Sequence, residues 1–171
     1  KTGIAYLAVA GTSIIWANVA AALVNRVGVR PLIAGGMGLL AVGMLLFTQI
    51  SVGGSYVADL LPGFLIIAFG MALCFVPISI AALAGVSRAE AGIASGLINT
   101  SQQIGGAVGI ALLSTIAITR TENEFAAGTA RPEALTSGFQ LAFWVGAAIA
   151  LAGVVAALVL IRQEEVAAAA E

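Results

Sequence analysis

The chain has no histidine, one cysteine, four prolines and two tryptophans in 171 residues. Each shortage excludes something. Without histidine there is no imidazole to ligate a metal or to serve as a general base near neutral pH. Cys74 has no partner for an internal disulfide, so cysteine usage does not point to a redox compartment. Charge is scarce as well: 9% of residues are charged, where a soluble domain carries roughly a quarter. Seven basic and eight acidic residues leave a net charge of -1, which offers no basic surface to nucleic acid. There is no P-loop, no metal-ligand cluster and no nucleophile–base pair. Every carboxylate falls in a loop, in a tail or at the end of an apolar run. A catalytic residue, a metal and a cofactor are therefore not expected.

What the chain has in excess is apolar. Hydrophobic residues make up 61% and mean hydropathy is +1.11. The polar residues gather in short gaps between long apolar runs, the pattern of membrane spans. A bilayer core takes about 20 apolar residues in a helix. Five segments qualify: 4–24, 31–50, 59–83, 91–118 and 139–161. Lipid cannot pair open backbone groups, and no alternating ten-residue pattern suggests a barrel. The expected fold class is all-α, a polytopic helical membrane protein with five transmembrane helices.

The gaps carry stop and start signals. Residues 25–30 form a short turn with Arg26 and Arg30, and Pro31 suits the first turn of the next helix. Ser87 and Glu90 have capping-box spacing. Residues 119–138 read as the longest loop, wet with Arg120, Glu122, Glu124, Arg131 and Glu133. Arg26, Arg30, Arg88 and Arg162 lie on one side, and Lys1, Arg120 and Arg131 on the other. This bias puts the 162–171 tail in the cytoplasm and the 119–138 loop outside. The chain opens without methionine, almost directly into a span, and five spans leave its ends on opposite sides. The expectation is the C-terminal piece of a longer membrane protein.

Two spans mix polar or aromatic groups with small residues. In the fourth, at 100° per residue, Gln103 lies about 40° from Asn99 and Gln102 about 60° to the other side. Gly92, Gly96 and Gly106 share that stripe. Gly92-x-x-x-Gly96 and Gly105-x-x-x-Gly109 have the small-xxx-small spacing of closely packed membrane helices. The stripe therefore reads either as packing glue or as a polar path lined by Asn99, Gln102 and Gln103. At about 42 Å the span exceeds a core of about 30 Å, which puts the amides toward the cytoplasmic end. In the third span Phe64, Met71 and Phe75 share one face, and Gly63, Gly70, Cys74 and Pro77 the other. The aromatic face suits either an adaptable apolar pocket or plain lipid and core contact. Pro77 should kink the helix and free a carbonyl near residue 73. Two other patterns carry nothing. Asn99-Thr100-Ser101 fits a glycosylation site but lies inside a span, and Gly36-x-Gly38-x-x-Ala41 imitates a dinucleotide fingerprint without a preceding strand.

Three pieces resemble one family. Ala21-Ala22-Leu23-Val24-Asn25-Arg26-Val27-Gly28-Val29-Arg30-Pro31 looks like a degenerate cytoplasmic loop motif of the major facilitator superfamily. Asn25 stands where the better-kept copy has Asp, and Ala21 where it has Gly. Gly70-Met71-Ala72-Leu73-Cys74-Phe75-Val76-Pro77 is the second piece. The third is Ala91-Gly92-Ile93-Ala94-Ser95-Gly96-Leu97-Ile98-Asn99-Thr100 followed by Gln103-Ile104-Gly105-Gly106-Ala107-Val108-Gly109. The chain is similar to the C-terminal half of a 14-span drug:proton antiporter of the EmrB/QacA-like group.

The resemblance implies proton-coupled efflux of hydrophobic or cationic drugs by alternating access, across a bacterial inner membrane. Its implied partners are the lipid bilayer, the N-terminal half of the same transporter, a small hydrophobic substrate and protons. No ionisable residue sits at mid-depth in any span, so the titrating carboxylate would lie in the other half. The resemblance also implies a cavity-lining third span, with the second and fifth outermost and the first and fourth at the interface between halves. A transporter of another solute, including an uptake system, is one alternative. A non-transporting helical scaffold is another, and by this criterion the transporter reading fails if the second span is central. Gln103→Leu should lower drug export with expression intact if Gln103 lines the path, and lower expression if it is packing glue.

Overall fold

Gly28 is where the first helical stretch stops. Its φ of 87° lies in the left-handed region, open to glycine without a Cβ penalty. Its N–H donates to the Val24 carbonyl at 2.9 Å, and Val29 starts the next helix at once. Of the six residues expected as a turn at 25–30, Gly28 alone is non-helical among those described. The computed structural model describes residues 19–20, 22–24, 26–83, 86–87 and 89–161. Most of the first expected span lies outside the described residues. So do Lys1, Asn25, Arg88, Arg162 and the 162–171 tail.

Four long helices follow: α1, Val29–Phe47; α2, Leu61–Leu83; α3, Ala91–Ala126; and α4, Arg131–Leu160. Each is long and apolar enough to cross a membrane. Among the described residues there is no strand, as an all-α membrane protein requires. A π-helical turn, Tyr56–Leu60, leads into α2.

The second expected span, α1, is the hub of the described helices rather than an outer one. Its residues show why. Gly36 and Gly43 repeat at seven residues on one seam, and Met37 and Met44 on the next. The glycine seam meets α2. A Cβ on Gly36 would stand 2.8 Å from the Gly70 carbonyl and 2.6 Å from Cys74 Sγ, and one on Gly43 would meet Ile67 at 2.4 Å. Across the seam, a Cβ on Gly63 would collide with the Phe47 ring at 2.4 Å. The methionine seam meets α4, where Gly153 and Gly146 receive Met37 and Met44 at 3.1 and 3.4 Å from an added Cβ. Small residues thus admit a neighbour on two faces, and dispersion contact replaces the hydrophobic drive that lipid cannot supply. Ala20, Leu32 and Leu73 form one buried cluster, so the helical residues before Gly28 pack here too. Val29, Ile33 and Ala157 form a second cluster between α1 and α4.

The 119–138 stretch departs from the sequence reading. It is not a long loop: α3 runs on to Ala126 and α4 begins at Arg131. Charged residues and alanines sustain a helix in water as well as apolar ones do. Arg120 pairs with Glu124 at i,i+4, 2.5 Å apart. Gly128, with φ 93°, makes the turn. The α3–α4 crossing is tight at Gly138, where an added Cβ would lie 2.4 Å from the Ala117 carbonyl. The Ser87–Glu90 capping box also differs, because the two side chains bond to each other at 2.7 Å and leave the helix N–H groups without a side-chain cap.

Candidate functional site

α2 and the first half of α3 touch only lightly, so a groove runs between them. Phe75, Ser79 and Leu83 supply one wall at four-residue spacing. Ser95, Ile98, Asn99 and Gln102 supply the other at three- and four-residue spacing. The groove encloses about 200 Å³. On the far side of Ile98 a second groove of about 340 Å³ opens, and Gln102 borders both.

The hydrogen bonding sets the chemistry. Ser79 donates to the Phe75 carbonyl at 2.9 Å, and Thr100 to the Gly96 carbonyl at 2.8 Å. These hydroxyls are occupied by their own helices. Asn99, Gln102 and Gln103 make no side-chain hydrogen bond among the described residues. An amide has two donors and two acceptor lone pairs. The groove therefore offers unmet amide capacity beside an exposed phenyl ring, a combination that fits a ligand with an apolar body and a few polar groups.

Three of the expected path residues thus come together: Phe75, Asn99 and Gln102. The others do not join them. Met71 is exposed on α2 outside the groove. Phe64 packs edge-on against Phe47, ring centroids 5.0 Å apart, and Phe47 also meets Phe143 at 5.1 Å. Phe64 thus belongs to an aromatic cluster at the far end of α1. Gln103 faces away from the described helices and is exposed. Pro77 lies inside α2 and is fully buried.

The five glycines assigned to close packing, Gly92, Gly96, Gly105, Gly106 and Gly109, have open space where a Cβ would stand. No described helix covers them. The close contacts fall on Gly36, Gly43, Gly63, Gly70 and Gly138 instead. The signal was present as a seven-residue recurrence across two helices, but the four-residue motif drew attention to α3.

The loop motif separates into unlike parts. Arg26 is exposed, and its side chain makes no bond among the described residues. Gly28 is the helix break. Arg30 donates from its guanidinium to the Leu158 carbonyl at the end of α4. At the other end of α1, Gln140 donates to the Ile50 carbonyl at 2.8 Å. Sequence reasoning missed this bond, because neither partner belongs to a motif.

A family model described as Major Facilitator Superfamily matches residues 1–110. The puromycin resistance protein pur8 of Streptomyces alboniger is 33% identical over 88% of this chain and 30% of its own length. The cephamycin export protein CmcT of Amycolatopsis lactamdurans is 35% identical over 55% of this chain and 19% of its own. The lincomycin resistance protein of Streptomyces lincolnensis is 31% identical over 68% of this chain and 24% of its own. The chain spans less than a third of the length of each of these relatives.

Proposed function

Because this chain belongs to the major facilitator superfamily, we propose that it is the C-terminal part of a bacterial cell-membrane exporter that expels antibiotics and other hydrophobic or cationic compounds. Proton-driven alternating access is the mechanism, with an N-terminal half supplying the other wall of the path and the titrating carboxylate. The observation that carries the reading is the α2–α3 groove, where Phe75, Asn99 and Gln102 converge with unmet amide capacity. The relatives' names as resistance and export proteins support the direction of transport.

The hub position of α1 does not outweigh the family match. Outermost and central describe helices in a complete two-half transporter, whereas burial here ranks only the described helices of one chain. The face of α3 that carries Asn99, Gln103 and the open glycines is the surface assigned to the other half. Ile93, Leu97 and Ile104 on the same helix are likewise exposed. The positive-inside count puts Gly28 and the 162–171 tail in the cytoplasm, with the α3–α4 turn outside.

The test is transport by the full-length protein in inverted vesicles under an imposed proton gradient. The reading predicts that a fluorescent hydrophobic cation accumulates inside the vesicles and that a protonophore abolishes this. Accumulation without a gradient requirement would remove the proton coupling. Movement in the opposite direction would make it an uptake system.

A further inference from the structure

A third groove lies at the other end of α3, against the start of α4. Ser114, Ile118 and Glu122 line it at four-residue spacing from α3, and Leu135 and Phe139 from α4. It encloses about 410 Å³, within the ~300–1,000 Å³ range of small-molecule sites. We propose that this groove binds a soluble hydrophobic cation, with Glu122 as its counter-charge and Phe139 as its aromatic wall.

Charge placement is the first reason. The apolar run of α3 ends at Ile118, and the charges that follow are not equivalent. Arg120 is engaged twice, with Glu124 at 2.5 Å and with Ser137 Oγ at 3.2 Å. Glu124 is engaged twice as well, because Thr129 donates to its other oxygen at 3.1 Å. The Glu122 carboxylate has neither an ion pair nor a hydrogen bond among the described residues. One uncompensated carboxylate therefore faces a wall of Ile118, Leu135 and Phe139, each with a large exposed area. A carboxylate beside a phenyl face attracts a cation from two sides.

The lining also selects among cations. No described lining residue is basic. A phospholipid headgroup would bring a phosphate that finds no positive partner there. A soluble monocation on a compact apolar body leaves no such group unpaired. The site is separate from the α2–α3 groove and shares no residue with it. Binding can therefore be read without transport, and its failure would leave the export reading standing.

The test uses the full-length protein with Cys74 and every other native cysteine replaced by alanine and Leu135→Cys added, in phosphatidylglycerol nanodiscs. The new thiol is reacted with a trimethylammonium methanethiosulfonate and, separately, with neutral methyl methanethiosulfonate. The proposal predicts that Glu122→Gln lowers the cationic-to-neutral rate ratio by roughly fivefold or more, while the neutral rate, which reports folding and access, holds. Tetraphenylphosphonium should slow cationic labelling in the Glu122 protein, less so after Phe139→Leu, and not in the Gln variant. An unchanged ratio on Glu122→Gln, or no protection by tetraphenylphosphonium, overturns the site. Protection by added phosphatidylethanolamine equal to that of tetraphenylphosphonium overturns the choice of a soluble cation.

Discussion

Arg30, in the first turn of α1, donates its guanidinium N–H to the main-chain carbonyl of Leu158, in the last turn of α4. The last carbonyls of a helix have no partner within it, and a cation there also meets the negative end of the helix dipole. The bond closes the α1–α4 pair at one end, and Gln140 closes it at the other.

Arg30→Ala should remove this partner and destabilise the protein by about 1–3 kcal/mol. Thermal unfolding in detergent should show a lower Tm. Arg30→Lys should fall between, because it keeps a charge but loses the fork. Arg26→Ala, at an exposed position, should change stability by no more than about 0.5 kcal/mol. Equal effects at Arg26 and Arg30 would mean that both are only surface anchors.

The glycine seams give a sharper contrast. Gly36→Ala should destabilise by about 1–3 kcal/mol from overpacking. Adding Cys74→Ala should not rescue it, since the Gly70 carbonyl remains 2.8 Å from the new Cβ. Gly105→Ala meets open space among the described residues and should leave the packing of α1, α2 and α4 intact, with a helix-propensity gain of up to about 1 kcal/mol. Expression level and Tm of the two variants check this. Loss of folding at Gly105 with tolerance at Gly36 would reverse the packing assignment.

Gln140→Leu should unlatch the far end of α1. The loss is about 1 kcal/mol for one neutral hydrogen bond. Hydrogen exchange should quicken at residues 50–55, next to the Ile50 carbonyl, and not at residues 29–33. No local change there would place the restraint in packing alone.

Much of the fold was legible because a long apolar run is a good sign of a long helix. Pro31 falls in the first turn of α1, and the apolar cores of α2, α3 and α4 lie where the runs put them. The ends were not legible. Glu122 and Ala126 lie beyond the apolar run but stay helical, since the same residues that end a hydropathy run are good helix formers. The site was legible in part. The periodicity of α3 put Asn99 and Gln102 close on one stripe, and Phe75 lies with them in the α2–α3 groove. Which side of that stripe meets α2 was not readable, because it depends on how α2 and α3 cross. Gln102 consequently sits in the groove, whereas Gln103 does not. Likewise, a four-residue glycine motif marks a face that can be approached closely, and not one that is.

The central claim is that the α2–α3 groove contacts the exported compound. Proton-driven efflux by full-length protein carrying Gln102→Leu, at matched expression, tests it most directly. Loss of one amide contact in the transport cycle predicts a rate roughly tenfold lower, equivalent to about 1.4 kcal/mol. Wild-type efflux by this variant would contradict the claim.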